Sequence, residues 1–269
     1  GGGALIPAMI GGALLEAVRT DDGATLWRKD MPGPVEAAGV IAGESLYLGT
    51  VNGSVHRIHM PSGHDLWVPP IQLPSSVTTR PLLIDDPPLL IIRDTTDRIT
   101  ALSPNNGLEL WRYQRPMPLG GPTLQGAPDP AYIGGAIIAG FADGTVEALD
   151  PASGKVRWSR RLCNDRRKMN DADMTPVALP DGSILAGCHS RGISVLAAAD
   201  GAVLETWRVP GPLHAVLDGD RIWLTTAPGK LFALDAESLE ALWELDLGET
   251  PTAGARRCGG LLLVPIDRS

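Results

Sequence analysis

The chain has 269 residues, of which 43% are hydrophobic and 20% are charged, a composition typical of a globular protein with a sizeable core. Its formal net charge of −8 argues against nucleic-acid binding, because phosphate recognition needs a basic surface. Its 32 Gly and 24 Pro predict frequent turns and argue against a helical bundle, and no apolar run is long enough to cross a membrane as a helix.

The chain opens with the apolar, glycine-rich stretch GGGALIPAMIGG, which has the character of a strand rather than of a chain start. Its glycines do not form a phosphate-binding loop, because no helical pattern follows them. The stretch has neither an initiating Met nor the pattern of a signal peptide. We therefore expect the natural N-terminus to lie outside this sequence, and the same holds for the C-terminus, where a further hairpin is expected.

A repeat that ends in tryptophan runs through the rest of the chain. Each copy contains an apolar strand, a tight turn such as Asn52-Gly53, an alternating strand, a second turn and a strand with the tryptophan. Trp223 is outside this register. The other six tryptophans, which we expect to be structural, are Trp27, Trp67, Trp111, Trp158, Trp207 and Trp243.

Four short antiparallel strands in roughly 40 to 45 residues are typical of a β-propeller blade. Strand counting predicts three strands, then five four-stranded blades, then two strands. The sequence thus predicts an all-β propeller with six to seven blades in this chain, part of an eight-bladed ring, as a single domain over residues 1–269. An indole on the outer strand would pack between neighbouring sheets and bury about 150–250 Å².

The three cysteines and five histidines predict no metal site. Cys163, Cys188 and Cys258 form no CxxC motif, so we expect idle thiols, with one disulfide as the alternative. His56 and His59 lie three apart on a predicted strand, on opposite faces, and the remaining histidines are dispersed.

The loop after Trp158 carries two carboxylates, in the sequence RLCNDRRKMNDADMTPVALPDG. Asp171 and Asp173 follow three cations and precede Thr175 and an apolar strand. Two interpretations stay open: the carboxylates cap backbone N–H groups of a turn, or they form a fork on the propeller rim that receives an Arg or Lys of a partner. Acid–base catalysis is disfavoured because no nucleophile accompanies the pair, and no catalytic residue is predicted.

The clearest copy of the repeat, GTVEALDPASGKVRW at residues 144–158, resembles the repeat of pyrroloquinoline-quinone (PQQ)-type propellers. The resemblance covers nearly the whole chain. Proteins with this repeat include quinoprotein dehydrogenases, sensor domains of bacterial Ser/Thr kinases, and BamB-like lipoproteins of the outer-membrane β-barrel assembly machinery.

Two loops resemble those of the BamB-like proteins in particular. The acidic loop matches their motif D-x-D-x-T-P-V, whereas PTLQGAPDP at 122–130 matches a second motif in part, with Gln125 where that family has Arg. The resemblance implies that both loops contact a POTRA domain of BamA, the barrel-inserting subunit. The residues expected to bind this partner are Leu124, Gln125, Asp171, Asp173 and Thr175.

The resemblance implies a non-enzymatic scaffold without a cofactor, on the periplasmic face of the outer membrane. Its partners would be BamA, other subunits of the machinery and unfolded outer-membrane proteins, and a lipid anchor outside this chain would hold it at the membrane. One alternative is the sensor domain of a kinase. Another is a quinoprotein dehydrogenase with PQQ and Ca²⁺, which would need an adjacent Cys-Cys pair that the sequence lacks.

Overall fold

The structure of the chain, a computed structural model, describes residues 5–10, 12–115, 128–163 and 171–266. The regular structure in these ranges consists of 25 β-strands in antiparallel sheets. No helix in the same ranges is long and apolar enough to cross a membrane. The chain divides into two compact units, Gly1–Arg115 and Pro116–Ser269, so the single domain stays a prediction.

The first unit contains three sheets. The first sheet has the order β1-β2-β3: Leu5–Ile10, Leu14–Arg19 and Thr25–Asp30. The second has the order β4-β5-β6-β7: Val40–Ala42, Ser45–Gly49, Ser54–His59 and Ile71–Gln72. The third has the order β8-β9-β10-β11: Leu82–Ile84, Leu89–Arg93, Arg98–Leu102 and Glu109–Gln114.

The second unit contains three four-stranded sheets and a final pair of strands. The first sheet consists of β12 to β15: Ala131–Ile133, Ala136–Gly140, Thr145–Leu149 and Val156–Arg161. The next consists of β16 to β19: Val177–Ala178, Ile184–Cys188, Gly192–Leu196 and Val203–Trp207. The third consists of β20 to β23: Pro212–Asp218, Arg221–Thr226, Lys230–Asp235 and Ala241–Asp246. The final pair is β24 and β25: Arg256–Cys258 and Leu261–Leu263.

The described strands follow the predicted pattern of three strands, five four-stranded sheets and two strands. The second strands of the four-stranded sheets are largely buried, and every residue of β9, β13 and β17 is buried. The outer strands, such as β11, are mostly exposed. This gradient explains why the second strands are continuous apolar runs whereas the outer strands are rich in charge.

A contact between tryptophan and glycine joins successive sheets within each unit. The indole Nε1 of Trp158 donates a hydrogen bond to the carbonyl of Ala198, at 2.9 Å, in the turn between β18 and β19. Gly201 of the same turn has φ +68° and lies under the ring, where a Cβ would be 2.5 Å from Cε3. Trp27 makes the same contact with Met60 and Gly63.

The strand facing each tryptophan is also adapted to the ring. In four sheets the tryptophan pairs across the ladder with a fully buried alanine of the preceding strand, and a bulge follows directly. The small side chain leaves room for the indole, and the bulge turns the outer strand. These alanines are Ala17, Ala101, Ala148 and Ala233.

Three tryptophans lack one part of the full arrangement, which combines a glycine turn of the next sheet, a facing alanine and a position on the outer strand. Trp67 precedes the two-residue strand β7 instead of lying on it, because Pro69 and Pro70 cannot donate to the ladder. Trp207 donates to Glu205, and the glycine position below it is taken by Leu239 at φ 59°. Trp243 remains 44% exposed, since the next sheet has only β24 and β25 in the described part of the chain.

The tryptophan–glycine contact is tested by Gly201→Ala. We expect it to lower the free energy of unfolding by about 1–3 kcal/mol beyond the cost of the positive φ alone, because the new methyl group overlaps the Trp158 ring. The matched control is Gly135→Ala, at φ +74° with no atom within 4 Å, which costs only the backbone strain of about 1–2 kcal/mol. Urea denaturation measures the free energy of unfolding of both variants. Equal losses of stability in Gly201→Ala and Gly135→Ala would show that the contact with the Trp158 ring contributes nothing.

Candidate functional site

Three segments meet at one end of the second unit. The acid loop, residues 171–176, precedes β16; the turn at 189–191 joins β17 to β18; and the segment 208–211 leads to β20. The amide of His189 donates to the carbonyl of Asp171 at 3.0 Å, and the amide of Gly211 donates to the carbonyl of His189 at 3.3 Å. Backbone hydrogen bonds thus hold the three segments side by side.

Asp171 lies inside the protein, with no exposed surface. The next residue, Ala172, donates its amide to the carbonyl of Phe141 at 3.0 Å in the preceding sheet, and Gly140 leaves room for this approach. The loop enters the groove between the sheets because its backbone groups find their partners there. The expectation of a fork with both carboxylates on the rim is therefore wrong for Asp171, whereas partner binding by this loop stays a prediction.

Asp173 lies nearer the surface, with its side chain 8% exposed. Its Oδ2 is 3.7 Å from Nδ1 of His189, and in the residues described no donor meets its Oδ1. Burial raises the pKa of Asp173 to about 7; the charge of Asp171 acts in the same direction, and a backbone hydrogen bond opposes both. Asp173 therefore changes charge near neutral pH.

Thr175 anchors the loop. Its hydroxyl accepts a hydrogen bond from the amide of Asp129 at 3.1 Å, on the segment that leads into β12. This bond connects the acid loop to the end of the second predicted partner loop, residues 122–130. Leu124 and Gln125 of that loop lie outside the described residues.

An equivalent loop in the first unit shows which groups the fold requires. There the amide of Thr95 donates to the carbonyl of Ser76, as the amide of His189 donates to the carbonyl of Asp171. The amide of Val77 donates to the carbonyl of Thr50, as the amide of Ala172 donates to that of Phe141. In this alignment of the two loops, Ser76 takes the position of Asp171 and Thr78 takes the position of Asp173, and both are neutral. The backbone geometry thus forms without the pair of carboxylates. In the other first-unit loop with these hydrogen bonds, from Val35 to Gly12 and from Val51 to Pro34, an exposed Glu36 takes the position of Asp173.

A disulfide closes the segment that contains the acid loop. Cys163, just after β15, and Cys188, at the end of β17, are bonded, with their Cα atoms 6.3 Å apart, and Cys258 is free and exposed. The expectation of idle thiols is therefore wrong for this pair. Sequence spacing could not reveal the bond, because the packing of adjacent sheets brings the two strand ends together.

His189 belongs to no motif of the sequence. Its position in the repeat is the only available signal, because the register places it where the first unit has Val51 and Thr95, directly after the second strand of the sheet. Across the described ranges, no group of three or more His, Cys, Asp or Glu could hold a metal ion.

The charge state of Asp173 predicts a pH dependence of stability. The folded protein holds this proton up to pH of about 7, whereas the unfolded chain releases it near its ordinary pKa of about 4, so the stability contributed by this proton is lost as pH rises from about 4 to about 7. We expect Asp173→Asn to raise the free energy of unfolding by about 1–3 kcal/mol at pH 8 and to leave it unchanged near pH 4.

Urea denaturation at several pH values measures this effect. Asp181→Asn is the control of opposite sign, because the hydrogen bond from Ser183 lowers the pKa of Asp181. A loss of stability in Asp173→Asn at pH 8 would contradict the prediction.

The disulfide predicts a redox dependence of stability. Because the bond spans 25 residues, its reduction should lower the free energy of unfolding by about 3 kcal/mol. The double variant Cys163→Ala/Cys188→Ala should lose a similar amount and should no longer respond to dithiothreitol. Cys258→Ala, at the free thiol, is the control, and its stability should keep the full redox response. Equal stability of the oxidised and reduced protein would contradict the prediction.

Comparison with known proteins identifies the fold. The chain superimposes on the crystal structure of BamB from Moraxella catarrhalis with a TM-score of 0.78 and 20% identity, covering 97% of this chain and 81% of that one. A europium-containing methanol dehydrogenase gives a TM-score of 0.73 with 13% identity over 94% of this chain and 71% of that one. These likenesses confirm the predicted propeller of four-stranded antiparallel blades. The eight-bladed ring stays a prediction.

Sequence comparison identifies the family. Outer membrane protein assembly factor BamB of Yersinia pestis is 24% identical over 246 residues, which are 86% of this chain and 61% of the relative. The chain thus spans about three fifths of the length of the curated relatives it matches. The family model described as "Outer membrane protein assembly factor BamB" matches residues 11–245, which are most of the chain. The chain therefore belongs to the BamB family of PQQ-type repeat proteins.

Proposed function

We propose that this chain is a non-enzymatic scaffold that assists the assembly of β-barrel proteins into the outer membrane by docking to POTRA domains of BamA. Membership of the BamB family supports this role. The assembly machinery's other subunits and unfolded outer-membrane proteins are further partners in this proposal. The proposed location is the periplasmic face of the outer membrane.

The observation that carries the proposal is the acid pair in a loop that folds without acids. Asp171 and Asp173 stand where the equivalent loop of the first unit has Ser76 and Thr78, with the same backbone hydrogen bonds. Burying two carboxylates one residue apart costs stability, as the raised pKa of Asp173 shows. A cost that the fold does not require supports a role in binding.

The two acids have different roles in this proposal. Asp173 is the carboxylate that an incoming Arg or Lys reaches, since its side chain retains some exposure. Asp171 is buried and acts through its charge on Asp173, and Thr175 holds the loop in place through Asp129. A cation placed beside Asp173 lowers the pKa of its carboxyl again, so docking releases a proton near neutral pH.

The disulfide supports a location outside the cytoplasm. Bonds such as Cys163–Cys188 persist in oxidising compartments, among them the bacterial periplasm, and are rare in the cytosol. The bond joins residues 25 positions apart and not an adjacent Cys-Cys pair, which a quinoprotein dehydrogenase site would need. The fold shared with a methanol dehydrogenase therefore does not carry an enzymatic proposal.

The test is binding of the purified chain to the POTRA domains of the cognate BamA by isothermal titration calorimetry. We expect Asp173→Asn to weaken binding about tenfold, because it removes one charge-assisted hydrogen bond. Affinity for the parent chain should rise with pH up to about 7 and then level off, since the carboxylate must be charged to bind.

Asp181→Asn is the matched control, because it makes the same charge change on the same sheet, in the turn between β16 and β17. Binding by the parent with unchanged affinity in Asp173→Asn would leave BamA as the partner and exclude this surface. Absence of binding by the parent would overturn the proposed function.

A further inference from the structure

A cavity of about 410 Å³ lies beside the acid loop. It opens between the turn at 189–191 and the segment 208–211, and two arginines, a serine and two apolar residues line it. The lining residues are Ser190, Arg191, Arg208, Val209 and Pro210. The two arginines thus place positive charge at this cavity in a chain whose net charge is −8.

A glycine brings the two walls together. Gly192 has φ +117°, a conformation that strongly favours glycine, and a Cβ there would be 2.0 Å from the carbonyl oxygen of Trp207 and 2.6 Å from the amide nitrogen of Val209. The turn and the next segment are thus in backbone contact. The cavity is therefore held by the fold and not by the arginine side chains alone.

Arg191 occupies a turn position at which the equivalent hairpins of three other sheets have glycine. Its amide donates to the carbonyl of Cys188, three residues earlier, as the amides of Gly53, Gly144 and Gly229 donate in their own turns. Those glycines have φ of 80° to 84°. The turn in this sheet moves the positive φ to Gly192, which frees the preceding position for a long cationic side chain.

Arg208 differs from its equivalents in having no acidic partner among the residues that the structure describes. Arg28 and Arg112 also follow the tryptophan of their strand, and each is paired with a glutamate, Glu16 at 3.0 Å and Glu109 at 2.6 Å. No carboxylate of the described segments pairs with Arg208 or with Arg191, and the latter makes only a 3.4 Å contact with the carbonyl of Leu162. Arg208 and the remaining N–H groups of Arg191 are therefore available to a ligand.

We infer that this cavity is a carboxylate-binding site for an acidic side chain of the docking partner, flanked by apolar residues. Guanidinium groups match a carboxylate in charge and in planar geometry, and Val209 and Pro210 offer apolar surface to its neighbours. The inference rests on the proposed function for the identity of the partner. Asp173 and this site together would require the partner to present a cation and a carboxylate at a fixed separation. This requirement would set the orientation in which the partner docks.

The test is titration of the full chain with acetyl-Val-Glu-Val-amide, followed by NMR shifts of the backbone amides of residues 189–192 and 207–211. The isosteric peptide acetyl-Val-Gln-Val-amide and inorganic phosphate are titrated separately. We expect the glutamate peptide to bind about tenfold more tightly than the glutamine peptide, because only the former makes charge-assisted hydrogen bonds. Phosphate should bind more weakly than the glutamate peptide, since it makes no apolar contact.

The variants Arg191→Gln and Arg208→Gln should each weaken binding of the glutamate peptide about tenfold. Arg98→Gln is the matched control, because Arg98 bonds Gln114 in the first unit and the charge change is the same. Equal binding of the two peptides, or arginine variants that bind like the parent, would overturn the inference. If phosphate bound as tightly as the glutamate peptide, the cavity would be a general oxyanion site, and the inference of a site for an acidic side chain would be wrong.

The same variants separate this inference from the proposed function. If the POTRA domains bind and the peptide does not, the carboxylate site is excluded while the docking function stands. If the peptide binds with the expected arginine dependence and the POTRA domains do not, the site stands and BamA is excluded as its partner.

Discussion

The fold depends on the contact between a tryptophan on the outer strand of one sheet and a glycine turn of the next. The indole provides a large apolar surface and one hydrogen-bond donor, while the glycine both adopts the left-handed conformation and leaves room for the ring. A fully buried alanine behind the tryptophan completes the slot. Because every element of the contact is local to a turn or a strand, the same short motif can recur along the chain, as it does at Trp27 and Trp158.

A repeated frame makes each deviation informative. Where two loops make the same backbone hydrogen bonds, the loop conformation does not require the side chains that differ between them. If such a side chain lowers stability, its presence needs another explanation, such as a role in binding. By this criterion the charged residues of the second unit stand out: Asp171 and Asp173 replace Ser76 and Thr78, and Arg191 replaces a turn glycine. They gather at one end of one sheet. Leu239, in contrast, deviates from the repeat but is buried among apolar side chains, so packing explains it.

The electrostatics and the disulfide act on the same segment. Asp173 is held close to its point of neutralisation by burial, so a small change in its surroundings, such as the arrival of a cation, changes its charge. The bond between Cys163 and Cys188 limits how far the chain around it can open. A carboxylate in a restrained loop loses little conformational entropy when it is bound, which favours docking through a few groups over a large apolar interface.

The sequence by itself determined the fold class, the strand count and the role of the glycine turns, because hydrophobic alternation, turn chemistry and the tryptophan period are local signals. It also located the acid loop through its resemblance to the BamB-like motif. Tertiary structure alone decided that Asp171 is buried, that Asp173 faces His189, that Cys163 meets Cys188, and that Arg191 and Arg208 share a cavity. Each of these depends on which strand ends and loops come together when sheets pack, and burial and charge follow from that packing and not from spacing along the chain.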